Sequence, residues 1–132
     1  MSAYRAIGLM SGTSMDGVDV ALVETDGEAR LSFGPTGFRP YSEADRALLR
    51  AALADAASLL DRAVRPGALA EAERMITERH AEAVETFLRE HAIEASSVDI
   101  VGFHGQTVLH RPKDRLTVQI GNGKALARRL GV

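Results

Sequence analysis

Cysteine is absent from this 132-residue chain. Disulfides, thiolate metal ligands and a cysteine nucleophile are therefore excluded, and the composition is compatible with a reducing compartment. No apolar run approaches the roughly 18 residues that a membrane-spanning helix needs. The first five residues, MSAYR, lack the charged and apolar regions of a signal peptide. We therefore expect a cytoplasmic protein that does not bind a membrane.

The chain also lacks an excess of charge of either sign. It contains 16 Lys and Arg residues against 18 Asp and Glu residues, a net charge of −2, and only 5% of its residues are aromatic. Without a basic or aromatic-rich surface, a nucleic-acid partner is not expected. Hydrophobic residues make up 45% of the chain, which is enough for the core of one domain. Small molecules are the expected ligands.

The first two thirds of the chain predict three strands followed by two helices. Residues 3–10, 18–25 and 30–39 have the composition of consecutive strands, and a turn at Asp26-Gly27 joins the last two. Ser42 and Asp45 resemble a capping box at the start of the first helix. Pro66-Gly67 ends this helix or the segment after it. Residues 68–91 carry the apolar stripe of a longer helix.

Further strands are predicted in the last third. Residues 98–103 have the near-continuous apolar character of a buried parallel strand, and residues 116–120 form another short strand after a turn at 111–114. Asn122 is the expected N-cap of a helix through Leu130, with Gly131 near its C-cap. We therefore predict one α/β domain over residues 1–132, a three-stranded meander extended by parallel strands, with helices packed on the sheet.

Residues 11–19, SGTSMDGVD, are the most informative segment. Gly12 and Gly17 can take positive φ and let backbone N–H groups close on an anion, while Thr13 and Ser14 supply hydroxyl donors. Asp16 would repel a bare phosphate, which indicates Mg²⁺ or an ordered water between them. A β-rich segment follows, so this is a hairpin loop and not a Walker A motif. The interpretation is a phosphate-binding hairpin; the alternative is an ordinary glycine-rich turn.

Polar residues also follow the strand predicted over 98–103, at the sheet end where open α/β folds bind ligands. Gln106 and Thr107 offer the donors and acceptors that sugar hydroxyls require. His104 either contacts the substrate or orients a neighbour, and Gln119 either faces the same cleft or faces solvent. His80 and His91, both within the predicted long helix, lack metal-ligand spacing and are expected to be structural.

Three motifs resemble, in the same order, those of anhydro-N-acetylmuramic acid kinases: IGLMSGTSMDGVD at 7–19, GFHGQT at 102–107 and QIGN at 119–122. The resemblance implies a bacterial, RNase H-like enzyme of the actin-like ATPase superfamily. Such an enzyme opens the 1,6-anhydro ring of anhydro-N-acetylmuramic acid with water and phosphorylates O6, using ATP and Mg²⁺. The product would be N-acetylmuramate 6-phosphate, in peptidoglycan recycling, and a homodimer is an expectation for the full-length family.

The same resemblance assigns roles to two sets of residues. The ATP phosphates would be held by the loop and the start of the next strand, namely Gly12, Thr13, Ser14, Met15, Asp16, Gly17, Val18 and Asp19. The sugar side of the cleft would be lined by His104, Gln106, Thr107 and Gln119. Asp16 would order Mg²⁺ through water, and the residues alone leave open whether Asp16 or Asp19 is nearer to the ion.

The resemblance further implies that the general base, an aspartate of a second phosphate loop, and the adenosine pocket lie beyond residue 132. We therefore expect this chain to be the N-terminal domain, without the family's C-terminal domain, and to be inactive alone. One alternative is a non-catalytic nucleotide- or sugar-binding module. Another is an RNase H-like nuclease that uses Asp16, Asp19 and Glu24 to hold two metal ions.

Overall fold

A computed structural model describes residues 3–132. The prediction that the chain has no signal peptide rests partly on residues 1 and 2, which lie outside the described residues. The elements in chain order are β1 (Tyr4–Met10), β2 (Gly17–Thr25), β3 (Leu31–Pro40), α1 (Glu43–Ala56), α2 (Leu69–Glu90), β4 (Ile100–Gly102), β5 (Gln106–Arg111), β6 (Leu116–Ile120) and α3 (Gly123–Leu130). No helix among the described residues is long and apolar enough to cross a membrane.

The main sheet has the strand order β3-β2-β1-β4. Its first three strands form the predicted antiparallel meander, with Met10 opposite Asp19 where β1 turns into β2. β4 adds to the free edge of β1 in the parallel direction. The fold is therefore α/β with a mixed sheet, and one parallel addition to the meander is confirmed.

The strand predicted over residues 98–103 is shorter and less buried than expected. β4 contains only three residues, lies at the sheet edge, and leaves 57% of Ile100 exposed. It begins where Asp99 and Arg5 exchange hydrogen bonds: the Asp99 N–H donates to the Arg5 carbonyl, and the Arg5 N–H to the Asp99 carboxylate. An apolar run does not distinguish an edge strand from a central one, which explains the wrong prediction of burial.

The prediction of a second parallel addition is also wrong. β6 pairs antiparallel with β5 in a separate two-stranded sheet, and β5 itself covers residues that were predicted to be loop and turn. The connection between them consists of the short helical turn Pro112–Asp114 and Arg115, whose φ is +51°. Four residues cannot carry a crossover to a parallel neighbour, which takes a dozen or more, so the chain can only fold back as a hairpin.

One hydrophobic core lies between the main sheet and the helices. Alternate residues of β1 and β2 point into it, among them Ile7, Leu9, Val20 and Leu22. Among the helices, α2 contributes the most core residues: Leu69, Ala72, Met75, Ile76, Ala81, Ala83, Val84 and Phe87.

The helix bounds agree closely with the prediction. α2 spans one residue fewer at each end than predicted, and α3 has the predicted Asn122 N-cap and left-handed Gly131 C-cap. Pro66-Gly67 ends the turn segment after α1 and not α1 itself.

The capping box predicted at α1 is confirmed. The Asp45 N–H donates to Ser42 Oγ at 3.1 Å, and the Ser42 N–H donates to Asp45 Oδ2 at 3.2 Å. The same carboxylate accepts from Arg79 Nε of α2 at 3.0 Å. Burial by itself raises the pKa of Asp45, but the hydrogen bonds from Arg79 and Ser42 outweigh it and hold the pKa below its usual value.

We expect Asp45→Asn to lower the free energy of unfolding by about 2 kcal/mol at pH 7, because it removes the charge from a nearly buried ion pair. The folded-state pKa is depressed, so the stabilisation is complete above the unfolded-state pKa and is lost as the pH falls through the folded-state value. Urea denaturation should therefore show the two proteins converging in acid. Glu43→Gln, at an exposed pair with Arg46, is the control and should match the wild type. A constant difference at all pH values would contradict the prediction.

Candidate functional site at the β1–β2 hairpin

The loop of residues 11–16 joins β1 to β2 and is closed by a hydrogen bond from the Met15 N–H to the Gly12 carbonyl, 3.1 Å long. Neither Gly12 nor Gly17 adopts the positive φ that a glycine allows. Among the described residues of this loop, Met15 takes the left-handed conformation, with φ +57°. The side chain of Met15 is half-buried and packs against the core, which gives it an apolar contact in that conformation.

Gly17 is required for a different reason, the close approach of β3. It lies opposite Pro40, and a Cβ at this position would lie 2.8 Å from the Pro40 Cα and would overlap the Arg39 carbonyl oxygen. Gly12 has no such restriction, since a Cβ there would meet nothing within 4 Å. The two glycines of the motif therefore have different structural roles.

An open pocket of about 500 Å³ lies in front of this loop. Its lining combines the loop with residues from distant parts of the chain: Met10, Ser11, Gly12, Thr13, Ser14, Asp16, Gly17, Asp19, Phe38, His104 and Thr107. Both carboxylates of the motif, Asp16 and Asp19, thus lie in the same pocket as two of the residues that sequence assigned to the sugar side. Hydroxyl, carboxylate and imidazole groups are the kinds of side chain that bind phosphates, cations and sugars.

The other predicted site residues lie behind or beside the pocket. Val18 is fully buried in the core, and Met15 packs against it. Gln119 is exposed on β6 and donates from Nε2 to Thr107 Oγ1 at 3.3 Å, so it adjoins the pocket through Thr107. Gln106 is only 2% exposed, and its amide contacts protein groups instead of the pocket.

Gln106 belongs to a buried polar network with Ser11 and Tyr41. Ser11 Oγ lies 2.7 Å from the Tyr41 hydroxyl and donates to Gln106 Oε1. Gln106 Nε2 in turn donates to the Gly12 carbonyl at 3.2 Å. Burial raises the pKa of Tyr41 to about 12, partly offset by the Ser11 hydrogen bond, so the hydroxyl stays protonated. The sequence motifs gave no indication of Tyr41 because it lies outside all three; its position two residues after the strand predicted over 30–39 is the only local signal.

Helix α2 contacts the sugar side of the pocket at two places, Gly121-Asn122 and Phe103. Glu73 Oε2 accepts from the Gly121 N–H at 3.0 Å, and Thr77 Oγ1 accepts from the Asn122 N–H at 2.9 Å. One turn further on, the rings of His80 and Phe103 form a T-shaped contact, with ring centroids 4.8 Å apart. These contacts fix the backbone before and after the polar residues that adjoin the pocket.

His80 is structural, as predicted, and its ring is neutral. It is 1% exposed, and burial lowers its pKa to about 4 despite the hydrogen bond between its Nδ1 and the Ile76 carbonyl. Since a carbonyl only accepts, Nδ1 carries the proton and Nε2 is the unprotonated nitrogen. Nε2 has no hydrogen-bond partner among the described residues.

The three carboxylates that the nuclease alternative needs are not all brought together, because Glu24 lies far from the pocket that contains Asp16 and Asp19. Asp19 and Glu24 lie five residues apart on β2, so they lie on opposite faces of the strand and roughly 17 Å apart. Glu24 pairs with Arg5 at the other end of the hairpin. No group of three metal-ligating side chains occurs within residues 3–132.

The structure is compatible with the fold of a sugar kinase. It has a mixed sheet with helices, and its glycine- and hydroxyl-rich hairpin loop shares a pocket with polar residues of a neighbouring hairpin. The sequence profile of the family "Anhydro-N-acetylmuramic acid kinase" matches residues 4–132. The chain belongs to the anhydro-N-acetylmuramic acid kinase family.

Curated relatives support this membership. A protein named anhydro-N-acetylmuramic acid kinase from Rhodopseudomonas palustris strain BisB18 is 63% identical over 127 residues, covering 96% of this chain and 35% of its own length. Proteins of the same name are 61% identical in Bradyrhizobium diazoefficiens, with the same coverage, and 57% identical in Methylorubrum extorquens, covering 100% of this chain and 38% of the relative. The chain thus spans little more than a third of the length of these relatives.

Proposed function

We propose that this chain provides the phosphate-binding loop and part of the sugar site of an ATP-dependent kinase. The enzyme would hydrolyse the 1,6-anhydro ring of anhydro-N-acetylmuramic acid and phosphorylate O6, giving N-acetylmuramate 6-phosphate for peptidoglycan recycling. The observation that carries the proposal is the pocket in which residues 11–19 meet His104 and Thr107. The names of the relatives support the choice of sugar.

The division of the pocket suits phosphoryl transfer, which depends on positioning and on neutralising charge. Thr13 and Ser14, with the backbone N–H groups of the loop, would hold the ATP phosphates. His104 and Thr107 would hydrogen-bond to sugar hydroxyls, and Gln119 would hold Thr107 in place through its 3.3 Å contact. Gly17 and Val18 would serve by shaping the loop, since both are buried.

The pocket also fits Mg²⁺. This cation keeps several waters and takes one or two protein carboxylates together with substrate phosphates, and Asp16 and Asp19 are the carboxylates that line the described pocket. Asp16 would contact the ion through water. When bound, Mg²⁺ would neutralise part of the phosphate charge.

We further propose that the domain is RNase H-like, of the actin-like ATPase type. The strand order β3-β2-β1-β4, with an antiparallel meander followed by a parallel strand, supports this classification, as do the helices on one face of the sheet. Residues 3–132 share one core, which supports a single N-terminal domain, with the adenosine pocket supplied by a C-terminal domain of the longer family members. A cytoplasmic location and a homodimer of those longer proteins belong to the same proposal.

We expect the 132-residue chain to bind both substrates weakly and to form no product. The carboxylates that line the described pocket, Asp16 and Asp19, serve the phosphates and Mg²⁺ in this proposal, which leaves the acid that activates water to the remainder of the longer family members. Amide NMR titrations of the chain with MgATP and with anhydro-N-acetylmuramic acid should shift residues 11–19 and 104–107, respectively. ³¹P NMR in parallel should detect no sugar phosphate.

Two variants test the phosphate side. Asp16→Asn and Asp19→Asn should each weaken MgATP binding tenfold or more and reduce its dependence on Mg²⁺. Asp114→Asn, which makes the same change of charge in the β5–β6 turn, should bind like the wild type. Equal affinity in all four proteins, or nucleotide-induced shifts away from the hairpin loop, would refute the proposed phosphate site. Sugar phosphate formed by the wild-type chain would refute the expected inactivity.

A further inference from the structure

Three buried polar side chains connect three distant segments of the chain. Ser11 comes from the hairpin loop, Tyr41 follows β3, and Gln106 begins β5, and each is only 2% exposed. Because Ser11 has one hydroxyl proton and donates it to Gln106 Oε1, the Tyr41 hydroxyl is the donor in its 2.7 Å contact with Ser11 Oγ. The hydrogen bonds thus run in one direction, from Tyr41 through Ser11 to Gln106 and from Gln106 to the Gly12 carbonyl.

The last bond of this series orients a backbone donor in the proposed phosphate loop. The Gly12 carbonyl accepts from both Gln106 Nε2 and the Met15 N–H. Because the peptide is planar and trans, the N–H of Thr13 is directed away from the side on which Gln106 lies. Thr13 is exposed and lines the pocket, so the two hydrogen bonds to the Gly12 carbonyl, from Gln106 and from Met15, together fix the direction of this N–H group.

Tyr41 holds the loop at a second point. Its backbone N–H donates to the Asp16 carbonyl at 2.9 Å, while its hydroxyl binds Ser11 at the other end of the loop. One residue therefore fixes the first and last positions of residues 11–16. Arg46 Nη2 donates to the Tyr41 carbonyl at 2.9 Å and ties Tyr41 to α1.

The other end of the network lies on the sugar side. Gln106 stands between His104 and Thr107, which line the pocket, and Gly105 before it has φ +73° and closely approaches the Ile120 carbonyl. The close approach at Gly105 and the pairing of Gln106 and Thr107 with β6 leave Gln106 little freedom to move independently of its neighbours. Any shift of residues 104–107 on sugar binding would therefore move the amide that orients the Gly12-Thr13 peptide.

We propose that Tyr41 and Gln106 are positioning residues that couple the two halves of the pocket, so that sugar and MgATP each bind more tightly in the presence of the other. This inference rests on the proposed function, because it needs both ligands in one pocket. Coupling of this kind is reciprocal: the factor by which the sugar tightens MgATP equals the factor by which MgATP tightens the sugar. Gln106 would then act through the loop and not by direct contact with the sugar.

The test is a set of NMR titrations of the 132-residue chain, with MgATP in the absence and presence of saturating anhydro-N-acetylmuramic acid, and the reverse. We expect a coupling factor of about fivefold or more in the wild type. Tyr41→Phe removes only the hydroxyl and should bring the factor below about twofold. Gln106→Met can neither accept from Ser11 nor donate to Gly12, and should abolish the coupling as well. Tyr4→Phe, at the other tyrosine, which is exposed on β1, should retain the wild-type factor.

The outcomes separate this inference from the proposed function. Binding of both ligands to the wild type with a factor of one would overturn the coupling and leave the proposed function intact. Binding of neither ligand would overturn the proposed function, and the coupling with it. Wild-type coupling in both Tyr41→Phe and Gln106→Met would show that these residues only support the fold, even if each affinity fell. Amide spectra of the variants without ligand establish that they are folded, and either variant alone suffices for the comparison.

Discussion

Replacing Gly17 with alanine is expected to lower the free energy of unfolding by about 3 kcal/mol, at the upper end of the range for overpacked sites. The new methyl group would overlap the Arg39 carbonyl and lie 2.8 Å from both the Pro40 Cα and the Phe38 ring. Two of these three neighbours are backbone atoms, which cannot rotate away as a flexible side chain can. Relief therefore requires β3 to separate from the start of β2.

Gly12→Ala is the matched control, because it adds the same methyl group to the same loop where nothing lies within 4 Å. Its stability should equal that of the wild type within the error of a urea denaturation curve. The Gly17 variant should also lose the hydrogen-exchange protection of the Tyr41 amide, which donates to Asp16 beside the substituted position. Equal stabilities of the two alanine variants would contradict the proposed close approach of β3.

Acidification from pH 7 to pH 4 is expected to remove roughly 3 kcal/mol of stability through His80 alone. Burial lowers the folded-state pKa of His80 from 6.5 to about 4, so between these values the unfolded state binds more protons. Stability therefore rises with pH across this window, is complete above pH 6.5, and is lost as the pH falls toward 4. Asp45 acts in the same direction but only in stronger acid, because its pKa lies below 3.8.

Urea denaturation at half-unit steps from pH 7 to pH 4 measures this slope. His80→Gln cannot titrate and should show a flatter profile, even though its stability at pH 7 is lower. Phe103→Leu removes the aromatic contact but keeps the imidazole, and should therefore retain the wild-type slope. A slope that persists in the glutamine variant would assign the acid sensitivity to other groups.

The elements that sequence predicted well depend on residues that are close together in the chain. The hairpin at residues 10–19 follows from strand composition on both sides of a glycine-rich bend, and the capping box needs only Ser42 and Asp45. Both are local, so local chemistry specifies them. The separate β5–β6 hairpin was not predicted, because polar residues at 104–107 and a Pro-containing turn suggested loop and hid a strand that pairs with its own neighbour.

The pocket could be predicted in outline but not in its internal hydrogen bonding. Residue chemistry located the loop, His104 and Thr107, and the structure brings these together. The orientation of Gln106 could not be predicted, because it depends on Tyr41, which lies 65 residues away in sequence. A hydrogen-bond series across three segments has no periodicity, so the sequence motifs contain Ser11 and Gln106 but give no indication of Tyr41, where the series begins.

The regular spacing of contacts along α2 restricts how this protein can change in length during evolution. Glu73, Thr77 and His80 lie three or four residues apart and each contacts a different loop residue, Gly121, Asn122 or Phe103. One inserted residue would rotate everything beyond it by roughly 100° about the helix axis and break these contacts together. Insertions and deletions among related proteins should therefore be absent from residues 73–80 and should collect in the turn segment 57–68, where the chain is mostly exposed.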